Sequence, residues 1–143
     1  GYTNAFCRLG ERLESAHYYG LVNTMGMIHL HDGAVRYSDV VKVFNLFRPA
    51  LPGEVLQLEV SEPAVDANFM RAGNTTYGFL VNFSPDKSAQ VSLEQLGEIT
   101  AATGIRAEAI LQPVTEFVPA FSGTTVTLPP ASLVRVTCRS VKE

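Results

Sequence analysis

Thr76-Tyr77-Gly78-Phe79-Leu80-Val81-Asn82-Phe83-Ser84-Pro85 is a short apolar run that closes on Asn, Ser and Pro, the pattern of a strand bounded by a turn. The run near the other end behaves alike. Thr125 to Leu128 and Ser132 to Cys138 alternate apolar and polar residues on either side of Pro129-Pro130. Outward from these, Val55 to Val60, Val65 to Met70, Ala89 to Leu93 and Ile105 to Leu111 read as further strands. Ala72-Gly73-Asn74, Ser84-Pro85-Asp86 and Ser122-Gly123 supply turns between them. No helix-length crossover separates these segments, since Glu94 to Gly104, where one helical turn is expected, is too short to make a βαβ unit. The expected fold is therefore mainly β, an antiparallel two-sheet sandwich over residues 53–143. Alternation nominates Leu56, Leu58, Val60, Phe79, Val81, Leu111, Val126, Leu128, Leu133 and Val136 for its core.

Residues 1–48 read differently. Phe6, Leu9, Leu13, Ala16, Gly20, Leu21, Thr24, Met27 and Ile28 recur at helical spacing, which predicts a helix from Ala5 to about Leu30 with Thr3 or Asn4 as its cap. Gly10, Gly20 and Gly26 each cost about 1 kcal/mol against Ala inside a helix, so they imply a close neighbour or a break. Gly33 would end that helix as a left-handed cap. A second helix is predicted from Ser38 to Phe47, stopped by Pro49 and Pro52. The chain then has a helical preface and a sandwich, joined at Arg48 to Gly53. The two helical stripes carry more apolar surface than they can bury against each other, an excess that points to a partner surface or self-association through the preface.

Composition narrows the function classes. With 46% hydrophobic and 17% charged residues the 143-residue chain is globular rather than disordered. A formal net charge of −3 lacks the basic excess that nucleic-acid phosphates demand. No apolar run approaches the roughly 20 residues of a membrane-spanning helix, and the opening residues show no basic stretch followed by an apolar one. The start at Gly1 without Met reads as a piece excised from something longer. Cys7 and Cys138 sit at opposite ends with neither CxxC nor Cys/His spacing, so two reduced thiols are expected.

No residue qualifies as catalytic. The nucleophile elbow, the phosphate-cradling glycine loop and the His-Glu-x-x-His helix are all absent from the sequence. Glu54, Glu59, Glu62, Asp66, Glu94, Glu98, Glu108 and Glu116 are scattered at positions that read as solvent faces. His29, His31 and Asp32 are of metal-ligating type, yet on a helix the two rings would point about 200° apart, and only an extended chain would bring them to one side. A polar helix end is therefore the expected role, with no metal and no cofactor. Tyr77 and Tyr37 are the candidates for stacking on a sugar, weakened by the absence of any Trp. Phe79, Phe83, Phe117 and Phe121 read as core or sheet-edge residues. Asn74-Thr75-Thr76 and Asn82-Phe83-Ser84 match the glycosylation acceptor pattern.

His17-Tyr18-Tyr19-Gly20-Leu21-Val22-Asn23, followed by Tyr37-Ser38-Asp39-Val40-Val41-Lys42-Val43-Phe44-Asn45, resembles the last barrel helices of clan A glycoside hydrolases, most closely α-L-arabinofuranosidases. Tyr77 to Asn82 and Val126 to Val134 resemble elements of the C-terminal sandwich that follows the barrel in that family. The resemblance implies a preceding (β/α)8 barrel as partner and a non-catalytic accessory role. The family's acid/base and nucleophile glutamates sit on barrel strands, and no position here corresponds to them. Two other readings stand beside it: an independent carbohydrate-binding sandwich using Tyr77 and its aromatic neighbours, and a small hydrolase with a site built from His17, His29 or His31 and carboxylates.

Overall fold

The structure, a computed structural model, describes residues 2–13, 15, 16, 22, 26–109 and 112–139. In chain order the helices are α1 (Tyr2–Leu9) and α2 (Asp39–Phe47). The strands are β1 (Ile28–His31), β2 (Ala34–Tyr37), β3 (Glu54–Leu56), β4 (Val65–Ala72), β5 (Thr75–Asn82), β6 (Ala89–Ser92), β7 (Ile99–Arg106), β8 (Thr115–Phe117), β9 (Phe121–Ser122), β10 (Thr125–Leu128) and β11 (Ser132–Arg139).

Two antiparallel sheets pack face to face, as the alternation predicts. One has six strands in the order β3-β4-β5-β11-β7-β8 and the other three in the order β6-β10-β9. Between them lies a core that includes Phe69, Leu80, Val91, Leu93, Val126, Leu128, Val134 and Val136. The six-stranded sheet is also covered on its other face. There Met70, Phe79 and Ile105 pack against Leu46, Phe47 and Ala50 of α2 and the turn after it. Three layers result: helices, a long sheet and a short sheet. Gly78 is needed inside β5 because a Cβ there would come within 2.8 Å of the Val136 side chain and 3.0 Å of Phe69.

The core candidates divide accordingly. Phe79, Val126, Leu128 and Val136 are fully buried. Leu56, Leu58 and Val60 are half-buried at the margin of the sandwich core. Val81 and Leu133 are also half-buried, because they point to the helix side, where α2 covers the sheet only in part. Their alternates Leu80 and Val134 fill the sandwich. Leu111 lies outside the described residues.

The preface departs from expectation. α1 begins at Tyr2 and ends at Leu9, where Gly10 adopts φ +51° and breaks the helix. Asn4, read as a cap, instead lies within the helix and is buried. Residues Ile28–His31, assigned to the end of a long helix, are a strand paired with β2. Asp32 (φ +49°) and Gly33 (φ +75°) both occupy the left-handed region, the backbone of a two-residue hairpin turn for which Asp-Gly is a favoured pair. Gly33 therefore turns a hairpin rather than capping a helix. The expected helix over 17–21 and 23–25 falls outside the described residues.

Strand ends also shift. β3 stops at Leu56, where the Leu58 amide bonds back to the Leu56 carbonyl, short of the expected Val60. β7 begins at Ile99 and ends at Arg106, so the strand expected at Ile105 to Leu111 starts six residues earlier. The single turn expected after Glu94 occurs at Glu94–Leu96. β8 and β9 carry no alternation long enough to be read.

Candidate functional site

Polar side chains fix the helical layer to the long sheet. The buried Asn4 carboxamide donates to the Phe79 carbonyl at 3.1 Å and to the Asp66 carbonyl and carboxylate at 3.3 and 3.2 Å. One turn on, Arg8 donates to Asp66 Oδ1 at 2.7 Å and to the Ala67 carbonyl at 2.9 Å. Burial pushes the Asp66 carboxyl up, but hydrogen bonds and the positive charge beside it, Arg8's included, outweigh this and hold it below the ordinary carboxylate range. A depressed folded pKa makes this contribution complete above the unfolded pKa and removes it as pH falls through the folded one. Hydrogen-exchange protection of α1 should therefore drop on acidification before that of β10, and Asp66→Asn should lower it already at neutral pH. Unchanged α1 protection in that variant would remove the carboxylate from the account.

α2 is held at both ends. Asp39, in its first turn, accepts from the Val114 amide at 2.9 Å and pairs with Lys42 at 3.0 Å, and these contacts keep its carboxyl below the ordinary range. At the other end Arg135 of β11 donates to the Leu46 carbonyl at 3.2 Å, satisfying a group that the helix leaves open. Between them Phe47 stacks on Phe79 with ring centroids 4.0 Å apart and planes 11° from parallel. The outward side of this layer is apolar: Tyr2, Phe6, Leu9 and Phe44 are 86%, 44%, 46% and 43% exposed.

The β1–β2 hairpin forms a two-stranded sheet of its own. Leu30 opposes Val35 and Ile28 opposes Tyr37 on one face, while His29 opposes Arg36 and His31 opposes Ala34 on the other. Leu30, Val35 and Tyr37 are more than half exposed. The strand thus brings His29 and His31 to one side, which a helix would not have done. Arg36 sits across from His29, and His31 Nδ1 lies 3.5 Å from Asp32 Oδ1. Among the described residues no group of three or more His, Cys, Asp or Glu is placed to hold a metal.

Tyr77 and Tyr37 are not brought together. Tyr77 packs under the helices beside Met70, whereas Tyr37 is on the hairpin. Phe79 is core, Phe117 and Phe121 are on edge strands, and Phe83 is exposed just past β5. Of the scattered carboxylates only Glu62 and Asp66 are half-buried, and the other six are exposed. His17 lies outside the described residues. Both cysteines are free thiols on opposite sides of the long sheet, Cys7 against the helix-facing cluster and Cys138 in the sandwich core. Burial raises both, Cys138 to about 11. Of the two glycosylation triplets, Asn82 is 1% exposed and its amide nitrogen is engaged by three carbonyls. Asn74 is exposed on the β4–β5 turn.

The other surface feature is a groove of about 1170 Å3 at the end of the sandwich near the β4–β5 turn. It has Leu58 and Leu96 in its wall and Arg71, Asn74, Thr100 and Arg139 along it. Sequence alone assigns Leu58 to the core and Asn74 to a glycosylation triplet and does not gather these residues into one place, because β4, β11 and the loops meet only in the folded sheet.

No family model and no curated protein sequence matches the chain. Solved structures do. The family 51 α-L-arabinofuranosidase AbfB from Bifidobacterium longum aligns with a TM-score of 0.66 at 18% identity, covering 90% of this chain and 30% of that one. The catalytic domain of GH30 xylanase C from Talaromyces cellulolyticus gives 0.64 at 17% identity, covering 83% and 29%. A GH86 β-porphyranase from Bacteroides plebeius gives 0.61 at 13%, covering 82% and 23%. The chain thus spans less than a third of each of these structures. Among the described residues no helix is long and apolar enough to cross a membrane. These alignments show that the chain has the β-sandwich fold that forms part of these glycoside hydrolase structures.

Proposed function

We propose that the chain is the non-catalytic, C-terminal accessory sandwich of a glycoside hydrolase of arabinofuranosidase-like type, seated against a preceding (β/α)8 barrel. The observation that carries this reading is the exposed apolar side of the helical layer, with Tyr2, Phe6 and Leu9 of α1 on the surface. Exposed apolar surface gathered in this way marks a partner face. The chain's share of the arabinofuranosidase, 30%, leaves room for such a partner within one polypeptide. The sandwich would brace the flank of the barrel, with Asn4, Arg8 and Asp66 setting the angle at which α1 meets it.

The test is to compare the 143-residue chain with its full upstream reading frame. The chain alone should show no turnover of aryl arabinofuranosides and should self-associate in sedimentation. The longer protein should be active and monomeric, with α1 strongly protected from exchange. Turnover by the chain alone that vanishes on changing one of its own carboxylates would overturn the accessory role. A strictly monomeric chain with a fully protected α1 would show that the helices belong to this domain by themselves.

A further inference from the structure

We infer that the β1–β2 hairpin forms part of the rim of the parent enzyme's substrate cleft, with its apolar face seated on the barrel and its polar face, carrying Arg36 and His29, turned to the saccharide chain. This rests on the glycoside-hydrolase reading above and gives one segment a role within it. In a (β/α)8 barrel each helix follows a strand, and the loops leading from strand to helix gather at the C-terminal face, where the active site is built. The run Tyr37 to Asn45, which resembles the last helix of such a barrel, falls on α2. The hairpin runs straight into the first turn of that helix. Ser38, which precedes α2, donates its amide to the Met27 carbonyl at 2.8 Å and closes the base of the hairpin. Its place in the chain is thus that of the last strand-to-helix loop.

The apolar face needs a body to cover it. Apart from a single parallel bridge between Val22 and Ile28, the hairpin pairs with no other described strand. A two-stranded hairpin is marginally stable in water and gains its stability from packing on one face. Val35 and Tyr37 point to the same side as Ile28, and they are 57% and 67% exposed in this chain. The chain covers 30% of the arabinofuranosidase with which it aligns, which leaves the barrel as the body that meets these side chains.

Seating that face turns the other one outward. There His29 and Arg36 are cross-strand neighbours, with His31 and Ala34 the next pair toward the turn. Arg36 is exposed and has no ion-pair partner among the described residues. The hairpin's one carboxylate, Asp32, is at the turn beside His31. A guanidinium with five N–H donors and two imidazoles that can donate or accept suit the hydroxyls of a sugar chain. A loop on the rim meets sugar residues beyond the one being cleaved, so its contribution falls on oligosaccharides and not on aryl glycosides.

The test uses the longer protein from the upstream reading frame, with an aryl arabinofuranoside and with arabino- and xylo-oligosaccharides as substrates. Arg36→Ala should lower kcat/KM on the oligosaccharide by about fivefold or more, the scale of one lost hydrogen bond, chiefly through KM. The same change should leave the aryl arabinofuranoside unaffected, and Arg36→Lys should lose less. Val35→Ser should not move the unfolding midpoint of the 143-residue chain, where the side chain is exposed. In the longer protein it should reduce the exchange protection of residues 28–37. Oligosaccharide kinetics indifferent to Arg36→Ala, an equal loss on both kinds of substrate, or activity confined to the aryl glycoside would overturn the inference. So would a hairpin that exchanges as fast in the longer protein as in the 143-residue chain. A longer protein that cleaves none of these substrates would instead defeat the glycoside-hydrolase reading and this inference with it.

Discussion

Phe79→Ala is expected to destabilise the protein by about 3–5 kcal/mol, the range for deleting a buried aromatic ring. Phe79 is fully buried, and its ring forms the stack with Phe47 that joins α2 to the long sheet. The cavity left behind cannot be filled by relaxation of α2 alone, because Asp39 and Arg135 hold that helix at both ends. Thermal unfolding should show the midpoint lowered by about 10 °C or more. Exchange protection across residues 39–47 should fall further than that of β10, whose core contacts lie on the other side of the sheet. A loss below about 1 kcal/mol would mean that the stack contributes little beyond filling space.

Asn82→Asp carries the second large effect, and its sign depends on pH. The buried carboxamide donates to the carbonyls of Lys87, Leu128 and Pro129 at 2.8, 3.2 and 3.0 Å and accepts from the Ser84 amide at 3.0 Å. It thus ties β5 to the loop before β6 and to the end of β10. Aspartate keeps the acceptor but replaces the amino group with an oxygen facing three carbonyl oxygens. A buried group left unsatisfied costs about 1–3 kcal/mol, and a charged one more, so a loss of about 3 kcal/mol or more is expected at pH 7. These carbonyls disfavour the ionised form and raise the folded pKa above the unfolded one. Stability relative to the parent should then recover at low pH and be lost as pH rises from the unfolded pKa through the folded one. Denaturant unfolding at pH 4 and pH 7 measures both limbs. An equal deficit at the two values would show that the carboxylate had escaped to water.

The sandwich was legible because its strands speak through alternation and its turns through Gly73, Pro85 and Gly123. What could not be read has physical causes. The long sheet is buried on both faces, so in Leu80-Val81 and Leu133-Val134 both neighbours are apolar and alternation cannot say which faces the sandwich. β7 contains Thr100-Ala101-Ala102-Thr103-Gly104, residues too small to register as a strand. One of them, Gly104, is small because the Phe117 ring lies against it, within 2.8 Å of where a Cβ would be. In the preface, Met27 and Ile28 kept helical spacing by coincidence. Asp32-Gly33 was the stronger signal, a hairpin pair that outranks spacing because both residues must take positive φ. The contact that fixes the helical layer, Asn4 with Asp66, joins residues 62 positions apart. No periodicity encodes such pairings.

The central place of β11 has a consequence for how the molecule is made. Residues 132–139 follow every other strand among the described residues, yet they lie between β5 and β7 and supply a pairing edge to both. During synthesis β5 and β7 must therefore wait on the ribosome with open edges until the last strand has cleared the exit tunnel. Such edges are templates for pairing with other chains. The other five strands of the long sheet emerge before its middle exists, so nascent chains stopped before Ser132 would be the species that a chaperone has to hold.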